Sequence, residues 1–184
     1  MKKQILQLLT ILSLCFAFIN DTVAQDRIYE ARQESPNGTQ LVAIYIGAES
    51  CRPCHKPENI QAIENMKVSL SKISDQNGWS FKAVGVALDW SPEVGYNFLQ
   101  KNGEFDEMVI GNSWGNLAAE TYIWKADEVL AMIPQVVIYK QDIGRGNNGI
   151  EFEDRYDFKR LKMNELTEWL KNGSSWEELT AMNN

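Results

Sequence analysis

The stretch Gln40–Met66, QLVAIYIGAESCRPCHKPENIQAIENM, carries a strand, two cysteines and the start of a helix in one short run. Gln40 to Gly47 is apolar and β-rich with little alternation, the pattern of a strand covered on both faces. Cys51-Arg52-Pro53-Cys54 follows within four residues. Beyond Pro57, the residues Ile60, Ile63, Met66, Leu70 and Ile73 recur at helical spacing until Asn77-Gly78. A strand, a tight turn and a helix in that order place Cys51 at the positive end of the helix. That field favours the thiolate, which is the attacking species. Arg52 adds positive charge, and Pro53 suits a helix start because it has no N–H to leave unpaired there. On this geometry Cys51 is the exposed nucleophile that forms a mixed disulfide, and Cys54, a turn further in, resolves it. The plainer alternative is a pair of buried thiols or an inert local disulfide.

The chain has three cysteines, and the third, Cys15, lies in a segment that reads as a secretory signal. Met1-Lys2-Lys3 is a basic start, Ile5 to Ile19 is an apolar core, and Thr22-Val23-Ala24 offers a cleavage site. Cleavage after Ala24 leaves 160 residues and moves the net charge from −7 to −8, since Lys2, Lys3 and Asp21 depart together. A retained N-terminal anchor is the alternative. A lipid anchor on Cys15 is disfavoured by the bulky Leu14 before it. The expected location is therefore the periplasm or cell envelope. An acidic domain repels phosphate backbones, which argues against nucleic acid as a partner. The six tryptophans argue for a packed globule. The mature protein keeps only Cys51 and Cys54, too closely spaced to brace a fold, so reactivity explains them better than stapling.

The remainder reads as one α/β domain over 40–184, preceded by a polar arm over 25–39 that ends in the turn Pro36-Asn37-Gly38. Trp79 to Asp89 is a second buried strand. Ser91-Pro92-Glu93 starts a helix with Val94, Phe98 and Leu99. Glu107 to Gly111 is a short strand, and Trp114 to Trp124 a helix presenting Trp114, Leu117, Ala118 and Tyr122. Gln135 to Lys140 is a strand, with a glycine-rich turn and a hairpin partner over Ile150 to Phe158. Leu161 to Lys171 is a helix, and Ser174 with Glu177 forms a capping box for a last one.

Strand, CxPC, helix, and then a distant Ile133-Pro134 feeding a hairpin and a final helix resemble the thioredoxin superfamily over most of Gln40 to Lys171. The resemblance implies a central mixed sheet flanked by helices. It also implies a cis Ile133-Pro134 bond facing the cysteines, which presents backbone groups to a substrate's extended peptide. From the residues alone, the lesser alternative is an ordinary trans Pro134 that opens a strand. Cys51 and Pro134 are 83 residues apart, and the segment from about Gly103 to Trp124 fills that interval with an extra strand and helix. This is similar to exported TlpA-like proteins, whose usual work is reduction of a particular protein disulfide. The implied partners are a protein thiol or disulfide substrate and an upstream redox protein, with no cofactor and no membrane span after cleavage. Three residues depart from the pattern. Ser50 replaces the tryptophan usual before the first cysteine, Tyr45 stands where thioredoxins bury an acid, and Glu58 comes slightly late.

Other motifs use the same residues. Cys51 to His55 matches CxxCH, the attachment signature of c-type haem, with His55 as proximal ligand and a methionine such as Met108 or Met132 as the second axial ligand, since no other histidine exists. Small c-type cytochromes are mostly helical, whereas four good strand candidates occur here. A zinc or copper site on Cys51, Cys54 and His55 is short of ligands. A third reading keeps the scaffold for protein binding with vestigial thiols. Gly144 to Gly149 is a literal GxGxxG, but a strand follows it, so it reads as a hairpin loop without a phosphate cradle. Asn37 and Asn172 open glycosylation sequons, relevant only in a eukaryotic pathway. Glu151, Glu153, Asp154 and Asp157 read as a solvated face.

Overall fold

The computed structural model describes residues 28–32, 37–126, 130–147 and 149–182. The expected signal segment lies outside them, as does much of the arm. Among the described residues, no helix is long and apolar enough to cross a membrane.

Strand β1 (Gly38–Gly47) carries the apolar run foreseen above and is buried from Gln40 onward. It is the centre of a six-stranded sheet. Strand β2 (Ser80–Ala87) pairs with it in parallel, Gln40 opposite Ser80 and Gly47 opposite Ala87. Strand β3 (Glu107–Val109) extends the sheet in parallel beyond β2. On the other side β4 (Gln135–Gly146) runs antiparallel to β1, with Gln135 opposite Ile46 and Ile143 opposite Gly38. Two strands share the outer edge of β4, namely β5 (Gly149–Phe152) and β6 (Tyr156–Lys162).

Helix α1 (Pro57–Asn77) begins on a proline, where a missing N–H costs nothing. It ends at Gly78, whose φ of +70° lies in the left-handed region open to glycine. Helix α2 (Pro92–Gln100) is capped by Ser91, whose Oγ accepts from the Val94 N–H. Parallel strands demand right-handed crossovers, so α1 and α2 pack on the same face. There Gly85 makes room for α2 and the loop that follows it, since a Cβ at that position would come within 3.1 Å of Leu99 and 2.9 Å of Phe105. Helix α3 (Met163–Lys171) packs against α1 and buries Leu166 and Trp169 completely. Helix α4 (Trp176–Ala181) closes the chain over Leu179. The opposite face is crossed by Ser113–Trp124 and otherwise holds an open groove of about 930 Å³ floored by Val42, Val84 and Tyr139.

Four local expectations are corrected. The Trp114–Trp124 helix is three short pieces: a 3-10 turn (Ser113–Gly115), an α turn (Leu117–Ala119) and a π turn (Glu120–Trp124). Asn116 is extended and restarts the helix, its Oδ1 accepting from the Ala119 N–H at 2.8 Å. Of the expected face, Ala118 is buried and Trp114 and Tyr122 pack against the core, but Leu117 is 76% exposed, and Ala119 and Ile123 are buried in addition. The Ile150–Phe158 strand is two strands, because the chain breaks from β4 after Phe152 and rejoins it at Tyr156. Leu161 lies in β6, and the helix expected from it starts at Met163. The last cap is one residue later than read: Ser175 Oγ accepts from the Glu178 N–H at 3.1 Å. The glycine-rich run is a hairpin, with Gly146 opposite Gly149.

Candidate functional site

Three chain ends meet at one end of the sheet: the C-termini of β1 and β2 and the N-terminus of β4. Residues Ala48 to Ser50 carry the chain from β1 into Cys51, whose N–H donates to the Ala48 carbonyl at 3.1 Å. Arg52–His55 then forms a 3-10 turn with Cys51 as its cap. Cys51 and Cys54 are joined as a disulfide across that turn. The Cys54 N–H points back at Cys51, 2.9 Å from its carbonyl oxygen and 3.3 Å from its Sγ. A donor aimed at that sulfur stabilises negative charge on it once the bond opens.

Two expectations about Cys51 change here. It is 8% exposed, against 1% for Cys54, so it is the less buried residue of the pair but not an open one. It also caps a four-residue turn, while α1 begins at Pro57. The field acting on Cys51 is therefore that of nearby N–H groups, not of the long helix directly. Arg52 and Pro53 are exposed on the turn.

Ile133-Pro134 is a cis peptide. Because Gln135 is registered opposite Ile46, Pro134 stands beside Gly47 at the sheet end that bears the cysteines. Trp90, 79% exposed, projects from the loop after β2 at this same end.

The cysteine turn is held by a frame that the sequence did not reveal. Asp89 ends the second apolar run and is 9% exposed, and both its carboxylate oxygens accept from the Glu49 N–H at 3.1 and 3.2 Å. The Glu49 carboxylate pairs with Lys101 at the end of α2, at 2.8 and 2.9 Å. His55 reaches back to the Glu49 carbonyl with Nε2 at 2.6 Å, and since a carbonyl only accepts, Nε2 carries the hydrogen. The ring meets Phe98 of α2 edge-on at 5.7 Å between centroids. The one legible signal was an acid closing a buried strand at Asp89. Glu49 and Lys101 gave none.

Tyr45 is buried against Phe98 and Phe105, and burial pushes its phenol well above its ordinary value. It cannot serve as the proton acceptor that a carboxylate there would be.

The haem reading needs two free thiols and a His55 nitrogen turned toward the iron. Here the sulfurs are bonded to each other and Nε2 is taken up by the Glu49 carbonyl, so these residues as arranged do not fit that group. Met108 lies on β3 and Met132 beside the cis peptide. Among the described residues, no three His, Cys, Asp or Glu side chains converge to hold a metal ion.

No family model, no curated protein and no solved structure matches this chain.

Proposed function

We propose that this chain is an exported, thioredoxin-like thiol–disulfide oxidoreductase, acting chiefly as a reductant of protein disulfides in the periplasm or cell envelope. The observation that carries the reading is the Cys51–Cys54 disulfide closed across a capped turn at the strand–helix junction, with Cys51 the less buried residue of the two.

In the reducing direction the Cys51 thiolate attacks one sulfur of a substrate disulfide. That S–S bond breaks, a mixed disulfide forms, and the first substrate sulfur leaves as a thiolate that takes a proton. Cys54, deprotonated, then attacks Cys51 Sγ, closes the disulfide and releases the second substrate thiol. Two electrons and two protons have passed from the dithiol to the substrate, and an upstream protein dithiol returns them. The backbone N–H of Cys54 lies where it stabilises charge on Cys51 during attack. Pro134 and Trp90 supply the surface on which a substrate segment lies.

The test is a pair of variants. Cys51→Ser is expected to abolish turnover of a disulfide-bonded protein such as insulin, and Cys54→Ser to accumulate a mixed disulfide visible on a non-reducing gel. Normal exchange by Cys51→Ser would overturn the reading.

A further inference from the structure

His55 is the only histidine in the chain, and disulfide exchange as written above does not use it. We infer that His55 is a positioning residue that holds the two cysteine sulfurs together in the reduced protein, and so makes the Cys51–Cys54 couple more reducing.

The equilibrium concerned is exchange with glutathione. The Cys51–Cys54 bond breaks as two glutathione thiols join in a disulfide, and two electrons and two protons pass to the cysteines. The constant of the reverse direction, closure of the protein disulfide, is the effective concentration of one cysteine thiol at the other in the reduced protein. Anything that keeps Sγ of Cys51 and Sγ of Cys54 close when the bond is open raises that concentration and lowers the potential.

One bond joins the two cysteines directly, from the Cys54 N–H to the carbonyl and Sγ of Cys51, and it is made by backbone that no substitution at residue 55 removes. Cys51 N–H to Ala48 and Lys56 N–H to Pro53 each reach past at most one cysteine. Asn59 Nδ2 reaches only to the Pro53 carbonyl, between the cysteines. The His55 Nε2–H bond to the Glu49 carbonyl, at 2.6 Å, begins after Cys54 and ends before Cys51, so it closes a ring of chain around both. Both of its ends are fixed. Glu49 is held through its N–H by Asp89 and through its carboxylate by Lys101, and the imidazole is set edge-on against Phe98. The clamp does not depend on the S–S bond, so it persists when that bond is reduced.

This inference rests on the oxidoreductase reading for its use, but the equilibrium is measurable whether or not the protein has a physiological substrate. The purified protein is equilibrated in glutathione buffers, and the oxidised fraction is read by thiol alkylation for wild type, His55→Phe and His55→Gln. Phenylalanine keeps an aromatic edge against Phe98 and loses the donor. Glutamine is neutral and carries an Nε2–H donor at similar reach. His55→Phe is expected to lower the effective concentration about three- to tenfold, the loss of one hydrogen bond. That moves the potential about 14 to 30 mV toward oxidising. His55→Gln is expected to stay within about a factor of two of wild type.

Equal shifts in both variants would assign the effect to imidazole charge and overturn the clamp. No shift in His55→Phe would overturn it as well. His55→Asn, polar but too short to reach Glu49, stands in for the phenylalanine variant should that fail to fold, with the same expected loss. Absence of insulin turnover in wild type would defeat the functional reading and leave this measurement standing.

Discussion

Lys67 is fully buried on α1, yet its ammonium has three acceptors: Glu64 Oε1 at 2.6 Å and the carbonyls of Asn102 and Glu104 at 2.8 Å each. It also lies 4.4 Å from the Phe105 ring centroid. Burial pushes its pKa down, and the Glu64 carboxylate opposes that. A buried charge with every hydrogen accounted for is stable; its partners left alone are not. Lys67→Met keeps the length of the side chain and strands one carboxylate and two carbonyls. The expected cost is about 3 kcal/mol, read as a shift of the urea midpoint by circular dichroism. A cost below about 1 kcal/mol would mean that Glu64 turns out to solvent and the loop carbonyls find water. At this scale the sequence is only partly legible: Glu64 is three residues from Lys67, but the two carbonyls that complete the set come from a loop 35 and 37 residues on.

The described residues of the arm, 28–32, are tied to α1 and to the loop before β3 almost entirely by carboxylates. Asp106 accepts from Tyr29 Oη at 2.6 Å and from the Arg32 N–H at 2.5 Å, and Glu104 accepts from the Ala31 N–H. Arg32 reaches Asp75 through both guanidinium nitrogens at 2.9 and 3.0 Å and Ser71 at 2.6 Å. The hydrogen bond from Arg32 holds the Asp75 carboxyl below the usual carboxylate range. A carboxyl depressed in the folded state contributes stability that is complete above its unfolded value of about 3.9 and is lost as the pH falls through the folded one. Asp75 is largely exposed, so Asp75→Asn is expected to cost less than about 1 kcal/mol at neutral pH. Relative to wild type, that difference should shrink steadily below about pH 4. Urea unfolding at neutral and acid pH checks this, and a difference that grows on acidification would refute it. Elements with a local signature were legible. The spacing of Ile60, Ile63 and Met66 and the stop at Gly78 gave α1, and Ser91-Pro92-Glu93 gave the start of α2. Ser113–Trp124 was not, because an extended Asn116 and a π turn break the period on which a sequence reading depends. The site divides the same way. Its cysteines are three residues apart and were legible, whereas Asp89 and Lys101 meet Glu49 from 40 and 52 residues away.

At the scale of the molecule, the question is whether this fold needs its disulfide. The bridge spans a sequence separation of 3, so it constrains the unfolded chain far less than a long loop would. The chain-entropy model assigns so small a ring about 2 kcal/mol at most. Stability comes instead from β1, paired in parallel with β2 from Gln40 to Gly47 and antiparallel with β4 from Gly38 to Ile46. It also comes from the side chains that seal the sheet, Ile63, Leu70 and Trp169 among them, each fully buried. The hydrogen bonds of the cysteine turn join backbone, the Asn59 amide and the His55 imidazole, and all but that from the Cys54 N–H to Sγ involve no sulfur. A protein that cycles between dithiol and disulfide must stay folded in both states. The reduced protein is therefore expected to keep its far-ultraviolet circular dichroism and to unfold cooperatively, with a stability lowered by no more than about 2 kcal/mol. Urea titrations with and without dithiothreitol measure this directly. Unfolding on reduction would make the Cys51–Cys54 bond a brace, and a brace cannot be opened and closed in every turnover.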